Sequence, residues 1–294
     1  MAVKRARLGS HMSIAGGIPL ALERADRVDS TALQVFVKSA RQWTPKPLPE
    51  DDIKAFRQGL EARGLGPYVI AHATYLINLA SPDEAMRKRS IDALAQEIER
   101  CELLGIPGLV LHPGSHMKDG EEVGLERVAR SLDAIFAPKR RVRKGAVRVL
   151  LENTAGQGTN LGHRFEHLQR ILELAKSRER LAVCFDTCHA LAAGYDVATP
   201  SGYKATMKEV ESTFGTENIR AFHLNDSKHE LGSRRDRHEH IGDGHVGIEG
   251  FRALLNDRRF HDVPMVLETA KDEDLEDDRR NLARLRALLP KSRR

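Results

Sequence analysis

The stretch "VRVLLE" (residues 147–152) is a short Val/Leu run that closes on a carboxylate. It is too short for a globular helix and reads as a buried strand. The same form recurs along the chain. "PYVIAH" (67–72) ends on His72, "GLVLH" (108–112) on His112, "LAVCFD" (181–186) on Asp186 and "PMVLE" (264–268) on Glu268. "IRAFHL" (219–224) carries His223 at the same level. "ALQVFV" (32–37) and, more weakly, "RLGSHMS" (7–13) bring the strands to eight. Residues 82–104, 122–136, 164–176 and 247–257 show helical spacing of apolar side chains. The first of these is expected to start on Ser81 and Pro82 and to stop at Gly105, with Ile91, Leu94, Ile98 and Cys101 on its buried stripe. Strands alternating with helices imply an α/β fold with a parallel sheet and right-handed crossovers. Eight strands predict a single (β/α)8 TIM barrel, with an open doubly wound sheet as the alternative.

The strand ends carry the chemistry. His72, His112, Glu152, Asp186, His223 and Glu268 follow one another at intervals of 40, 40, 34, 37 and 45 residues, one strand-helix unit each. In a parallel barrel all C-terminal strand ends meet at one mouth. Six such groups in register would cost several kcal/mol each as unpaired buried charges, and a metal cluster at that face removes the cost. Histidine with Asp/Glu suits Zn2+, with Mn2+ or Fe2+ as alternatives at one site. "FDTCHA" adds His189 three residues after Asp186, and "RRDRHEH" adds the D-x-H pair Asp236 and His238. Cys184 and Cys188 have no second cysteine pair and read as small buried residues.

Bulk composition narrows the classes. The 294 residues are 40% hydrophobic and 30% charged, with a net charge of +5. That is enough apolar material for a core, and the modest positive balance is compatible with nucleic acid. Three cysteines are too few for a disulfide framework and predict a reducing, cytoplasmic setting. No apolar run reaches membrane-spanning length, and "MAVKRARLG" lacks the apolar core of a secretory signal. One domain is expected over residues 1–294, with short basic tails at both ends. "KRRVRK" (139–144) is expected to be a solvated loop at the N-terminal face of the barrel. Walker-type phosphate loops and the G-x-S-x-G nucleophile elbow are absent.

Longer motifs carry a resemblance. "HPGSH" (112–116), "ENTAGQG" (152–158), "DTCHALAAGYD" (186–196), "HLNDSK" (223–228) and "GSRRDRHEHIGDG" (232–244) closely resemble the endonuclease IV family of zinc-dependent apurinic/apyrimidinic endonucleases. "HATYLINLA" (72–80) and "RQW" (41–43) match too, so the likeness runs from about residue 8 to residue 270. It implies a TIM barrel with three Zn2+ ions. One would be held by His72, His112 and Glu152, a second by Glu152, Asp186, His223 and Glu268, and a third by His189, Asp236 and His238. It also implies hydrolysis of the phosphodiester bond 5′ to an abasic site in double-stranded DNA by a metal-bound hydroxide, leaving a 3′-hydroxyl and a 5′-deoxyribose phosphate. Glu152 would bridge two ions and Glu268 would orient the attacking water. Arg41 and Tyr75 are the expected wedges in the duplex, and Lys38, Lys228 and Arg234 the expected phosphate contacts. Ala40 stands where relatives commonly carry a longer polar side chain, which puts one wedge contact in doubt. A monomer is expected.

Two rivals are weaker. A sugar-phosphate isomerase or epimerase would share the barrel but lack the D-x-H loop. A non-catalytic DNA-binding relative would have lost a metal ligand, and none is lost. "GSHM" (9–12) matches the scar of a cleaved affinity tag. It follows eight residues that begin at Met1, and endonuclease IV relatives carry a similar motif at the end of their first strand. His11 is therefore expected at the barrel mouth, behind the metal ligands or facing DNA, and not itself a ligand.

Overall fold

Eight short apolar runs are strands, and they close into one parallel barrel. The computed structural model describes residues 6–137, 142 and 146–290. The basic stretch 139–144, apart from Val142, and both expected tails lie outside the described residues. The barrel strands are β1 (Arg7–Met12), β2 (Ala32–Phe36), β3 (Val69–His72), β4 (Gly108–Leu111), β5 (Arg148–Glu152), β6 (Leu181–Asp186), β7 (Ile219–His223) and β10 (Pro264–Leu267). They pair in chain order, and β10 joins β7 to β1. A two-stranded antiparallel ribbon, β8 (Asp226–Ser227) with β9 (His238–Glu239), stands on the loop between β7 and β10. The open-sheet alternative is excluded by this closure.

Side-chain alternation along the strands sets what the barrel holds. Ala32, Ile70, Val110, Leu150, Ala182, Cys184, Ala221 and Val266 pack together as the interior layer. Their neighbours, such as Leu33, Val69, Leu109, Val149, Val183 and Phe222, face outward into the core beneath the helices. A strand returns to the same face every second residue. The next inward positions are therefore Gln34, His72, His112, Glu152, Asp186, His223 and Glu268. The ligand-type residues form the layer directly above the apolar plug.

β1 settles the status of "GSHM". Gly9 and Ser10 pair with both β2 and β10. A Cβ on Gly9 would stand 1.7 Å from the Ala32 carbonyl oxygen, so only glycine fits this approach. Ser10 Oγ donates to Asp278 Oδ1 at 2.5 Å. The motif is barrel wall.

The helices are α1 (Leu20–Asp26), α2 (Glu50–Arg63), α3 (Glu84–Leu104), α4 (Glu121–Ile135), α5 (Phe165–Leu174), α6 (Thr187–Ala193), α7 (Pro200–Thr213), α8 (Gly247–Leu255) and α9 (Glu276–Leu288). The α3 start differs from expectation. Asp83 is the N-cap, accepting from the Met86 N–H at 2.8 Å. A carboxylate two residues after Ser81 reaches the open N–H groups and also meets the positive end of the helix. Gly105 ends the helix in the left-handed region, as expected. Leu94, Ile98 and Cys101 are buried, whereas Ile91 is only partly so. α1, α2, α6, α7 and α9 lie outside the four segments expected to be helical; in α2 and α9 charge crowds the apolar stripe. No helix among the described residues is long and apolar enough to cross a membrane.

Candidate metal centre

Glu152 lies at the centre of the mouth and is fully buried. Its Oε2 faces His72 Nε2 at 3.3 Å and His112 Nε2 at 3.1 Å. Its Oε1 faces His223 Nδ1 at 2.9 Å and His189 Nδ1 at 3.3 Å. His223 Nδ1 also stands 3.2 Å from Glu268 Oε2 and 3.8 Å from Asp186 Oδ2. On the far side, Asp236 reaches His189 Nε2 at 3.1 Å and His238 Nε2 at 3.2 Å. Three sets of ligand atoms each lie within 4.8 Å of one another: His72–His112–Glu152, Glu152–Asp186–His223–Glu268, and His189–Asp236–His238. All nine residues expected as ligands are brought together.

Hydrogen bonds around the ring orient these imidazoles. His72 Nδ1 donates to the Ala73 carbonyl (2.6 Å), His189 Nδ1 to that of Asn153 (2.9 Å) and His238 Nδ1 to that of Glu268 (3.2 Å). A carbonyl only accepts, so each Nδ1 carries the proton and each Nε2 presents a lone pair inward. The Nε2 atoms of His189 and His238 are buried without a hydrogen-bond partner, although the Asp236 oxygens are close. Lone pairs aimed at carboxylates repel unless a cation stands between them. Two ligands about 2.0–2.1 Å from a tetrahedral Zn2+ lie roughly 3.4 Å apart, which is the spacing seen here. The donor set fits zinc.

Electrostatics say the same. Burial works against charge on Glu152, yet the facing His223, His112 and His189 hold its carboxyl well below the usual range. Burial also opposes charge on Glu268 and Asp236, and their histidine neighbours still pull both low. Burial likewise disfavours the imidazolium form of His189 and His223, but Asp186, Asp236 and Glu152 push His189 well up, and Cys184 with Glu268 and Glu152 does the same for His223. His238 is raised to about 9, with Asp236 and Asp186 outweighing burial. The pocket demands positive charge.

Three residues that sequence reasoning missed support this shell. Asp186 is clamped by Asn153, whose Oδ1 accepts the Asp186 N–H at 2.7 Å, and by Asn225, whose Nδ2 donates to Asp186 Oδ2 at 2.6 Å. Asn225 Oδ1 also accepts the Glu268 N–H at 2.8 Å. The third is Gln34. Its amide nitrogen donates to Glu268 Oε1 (2.5 Å) and meets His11 Nδ1 (2.9 Å), while its oxygen faces His223 Nε2 (2.8 Å). Glu268 can only accept, so the amide cannot be flipped, and His223 must hold its proton on Nε2 and offer Nδ1 inward. Period-two alternation from Ala32 would have flagged Gln34. Such supporting bonds are worth about 10–100-fold in metal affinity. Gln34→Ala is expected to release zinc to a competing chelator about tenfold more readily, read by chelator titration. Retention equal to wild type would contradict the role.

The remaining expected residues divide. His11 sits beside Glu268 (3.6 Å) with its ring on Phe36, and burial holds its pKa below the ordinary value against the pull of Glu268. Tyr75 is 65% exposed, its ring 5.2 Å from that of His72 and 5.9 Å from that of His112. Arg41, Lys228 and Arg234 are exposed. Lys38 is not. It is 3% exposed, its ammonium 3.2 Å from Glu97 Oε1 and bonded to the Gln42 and Trp43 carbonyls. That amino group is committed to the protein interior. Cys184 and Cys188 are buried, and burial pushes both thiols up to about 12. A cavity of about 250 Å3 opens beside the ligands, lined by His72, Tyr75, Asn78, His112, Ser115 and Thr154 among others.

Glu121, His163 and His167 also lie within ligand distance of one another. There, the Gly162 N–H points at His167 Nδ1 (3.2 Å) and Arg164 Nε at His167 Nε2 (3.2 Å), the atom that also faces Glu121 (3.3 Å), so both ring nitrogens are already engaged within the protein. Arg164 already neutralises that carboxylate at 3.4 Å. This group is an ion-pair network.

A family described as xylose isomerase-like TIM barrel matches residues 22–288. The chain is 50% identical over 283 residues to a protein of Chloroflexus aurantiacus named probable endonuclease 4, covering 96% of this chain and 98% of that one. The crystal structure of endonuclease IV from Thermus thermophilus superposes with a TM-score of 0.82 at 37% identity, covering 96% of this chain and 98% of that chain. A D-tagatose 3-epimerase-like protein shares the fold at 19% identity and a TM-score of 0.71, over 96% and 98% of the two chains. The chain belongs to the endonuclease IV family.

Proposed function

We propose that this protein is a DNA-repair phosphodiesterase that cuts duplex DNA on the 5′ side of an abasic site. The products are a 3′-hydroxyl and a 5′-deoxyribose phosphate. The observation that carries the reading is the third ligand set, His189–Asp236–His238, standing beside the two sets that share Glu152. Three Zn2+ ions fit these sets, with Mn2+ or Fe2+ as alternatives at one of them. Bound there, divalent ions lower the pKa of water towards neutrality and stabilise charge on the phosphoryl oxygens and the leaving oxygen.

The chain's own residues do the rest. The four carboxylates carry four negative charges, so three divalent ions leave a net positive pocket for an anionic phosphodiester. Glu152 uses one oxygen for each of two ligand sets and fixes their separation. Glu268 has one oxygen held by Gln34 and the other turned inward toward His223, where it orients the attacking water. General-base assistance is worth about 10²–10⁴-fold, so Glu268→Gln is expected to lower kcat about a hundredfold in protein reloaded to the wild-type zinc content, which is measured in parallel because Glu268 is also in a ligand set. Near-full turnover of that variant would remove the role. At the rim, the exposed Tyr75 and Arg41 would fill the gap left by an extruded abasic nucleotide, and extrusion is cheapest where stacking is already lost. Lys228 and Arg234 supply the phosphate contacts, and the protein acts as a cytoplasmic monomer.

The test is incision of a labelled duplex carrying one abasic-site analogue, with the base-intact duplex as control. A single cut 5′ to the analogue, extendable by a polymerase, is the expected result. No cut by the metal-loaded protein would overturn the proposal.

A further inference from the structure

Lys38 and Glu97 form an ion pair away from the metal ligands, with side chains 2% and 0% exposed. Lys38 lies just past β2, and Glu97 lies in α3. The Glu97 carboxylate also accepts from Thr74, through the backbone N–H to Oε2 (3.2 Å) and Oγ1 to Oε1 (3.1 Å). Lys38 Nζ donates in turn to the carbonyls of Gln42 (2.8 Å) and Trp43 (3.0 Å). The loop at 38–43 is thus folded around the ammonium, and the loop at 73–75 hangs from the carboxylate. Arg41 and Tyr75 are exposed side chains of these two loops, as are Ser39 and Gln42 in the first.

α3 grips the first loop at further points. Arg100 donates to the carbonyls of Val37 (2.5 Å) and Lys46 (2.9 Å). The Arg89 guanidinium lies 4.3 Å from the centre of the Trp43 ring. α3 is therefore a platform for the loop, and its Glu97 carboxylate is joined to both loops. Stability alone does not explain such a pair, because well-packed hydrophobic side chains serve as well or better in its place. What a buried, fully bonded pair does supply is a fixed geometry.

We propose that Glu97 is a positioning residue that, through Lys38 and Thr74, holds the loops bearing Arg41 and Tyr75 in one fixed relation for duplex DNA lying across the barrel mouth. This rests on the proposed action on DNA. It assigns Lys38 a role inside the loop in place of a phosphate contact.

The experiment compares wild type, Glu97→Gln and the double variant Lys38→Met/Glu97→Met. It reads kcat and KM on the abasic duplex, zinc content and thermal melting. Both variants are expected to raise KM about tenfold, the worth of one charge-assisted hydrogen bond, with kcat within about twofold and zinc content unchanged. The double variant leaves no unpaired buried charge and is expected to melt closer to wild type than Glu97→Gln, yet to keep the raised KM. Unchanged KM in the double variant, or kcat falling in step with melting temperature, would overturn the inference. A wild-type protein that leaves the abasic duplex uncut would instead overturn the function proposed above.

Discussion

Glu152→Gln is expected to slow incision of the abasic duplex by about three orders of magnitude. Glu152 belongs to both the His72–His112–Glu152 and the Glu152–Asp186–His223–Glu268 sets, and four histidines face its two oxygens within 3.3 Å. A carboxamide keeps the shape but loses the charge, and its nitrogen is a poor metal ligand. Stabilising charge in a phosphoryl-transfer transition state is worth several kcal/mol, and each 1.36 kcal/mol is tenfold in rate. The fold should survive, because the interior layer below Glu152 is unchanged. Single-turnover incision with a parallel melting curve checks both halves. A Glu152→Gln protein incising within tenfold of wild type would mean that the shared carboxylate does not organise the centre.

Stripping the metal should abolish incision and cost about 4 kcal/mol of stability, the linkage value for ligand at a thousand times its Kd. For a chain of this size that is roughly a 6–7 °C fall in melting temperature. The loss depends on pH in a definite direction. Without ions, protonated His189, His223 and His238 stand in as the counter-charge, since their neighbours raise all three. A raised histidine pKa contributes stability that is full below the unfolded value and lost as pH rises through the folded one, near 9 for His238. The gap in melting temperature between loaded and stripped protein should therefore widen as pH rises from 6 to 9. Scanning calorimetry of both forms across that range is the check. A gap that narrows would show that these histidines do not carry the compensating charge.

Much of this architecture was legible in the chain. A buried parallel strand leaves an apolar run of four to six residues, and a barrel aligns the ends of those runs, so His72, His112, Glu152, Asp186, His223 and Glu268 declared themselves by position. The D-x-H pair Asp236 and His238 was legible as a spacing, and only the resemblance tied it with His189 to a separate ion, because it lies on a segment without periodicity. Gln34 escaped notice because it sits inside its strand and not at the end, although the alternation that places His72 above Ile70 places Gln34 above Ala32. Lys38 was misplaced for a different reason. A lysine beside a mouth loop normally points to solvent, and its partner Glu97 lies 59 residues away on α3, a pairing that no local pattern announces. Asn153 and Asn225 follow the same logic, since their partners come from neighbouring strands.

If nine side chains at one barrel mouth build a centre for three ions, Asp236 serves only the third. Native mass spectrometry of the intact chain counts those ions directly. The account predicts three zinc ions per wild-type chain and two in Asp236→Ala. A wild-type count of two or fewer after zinc loading, or an Asp236→Ala chain that still carries three, would contradict it.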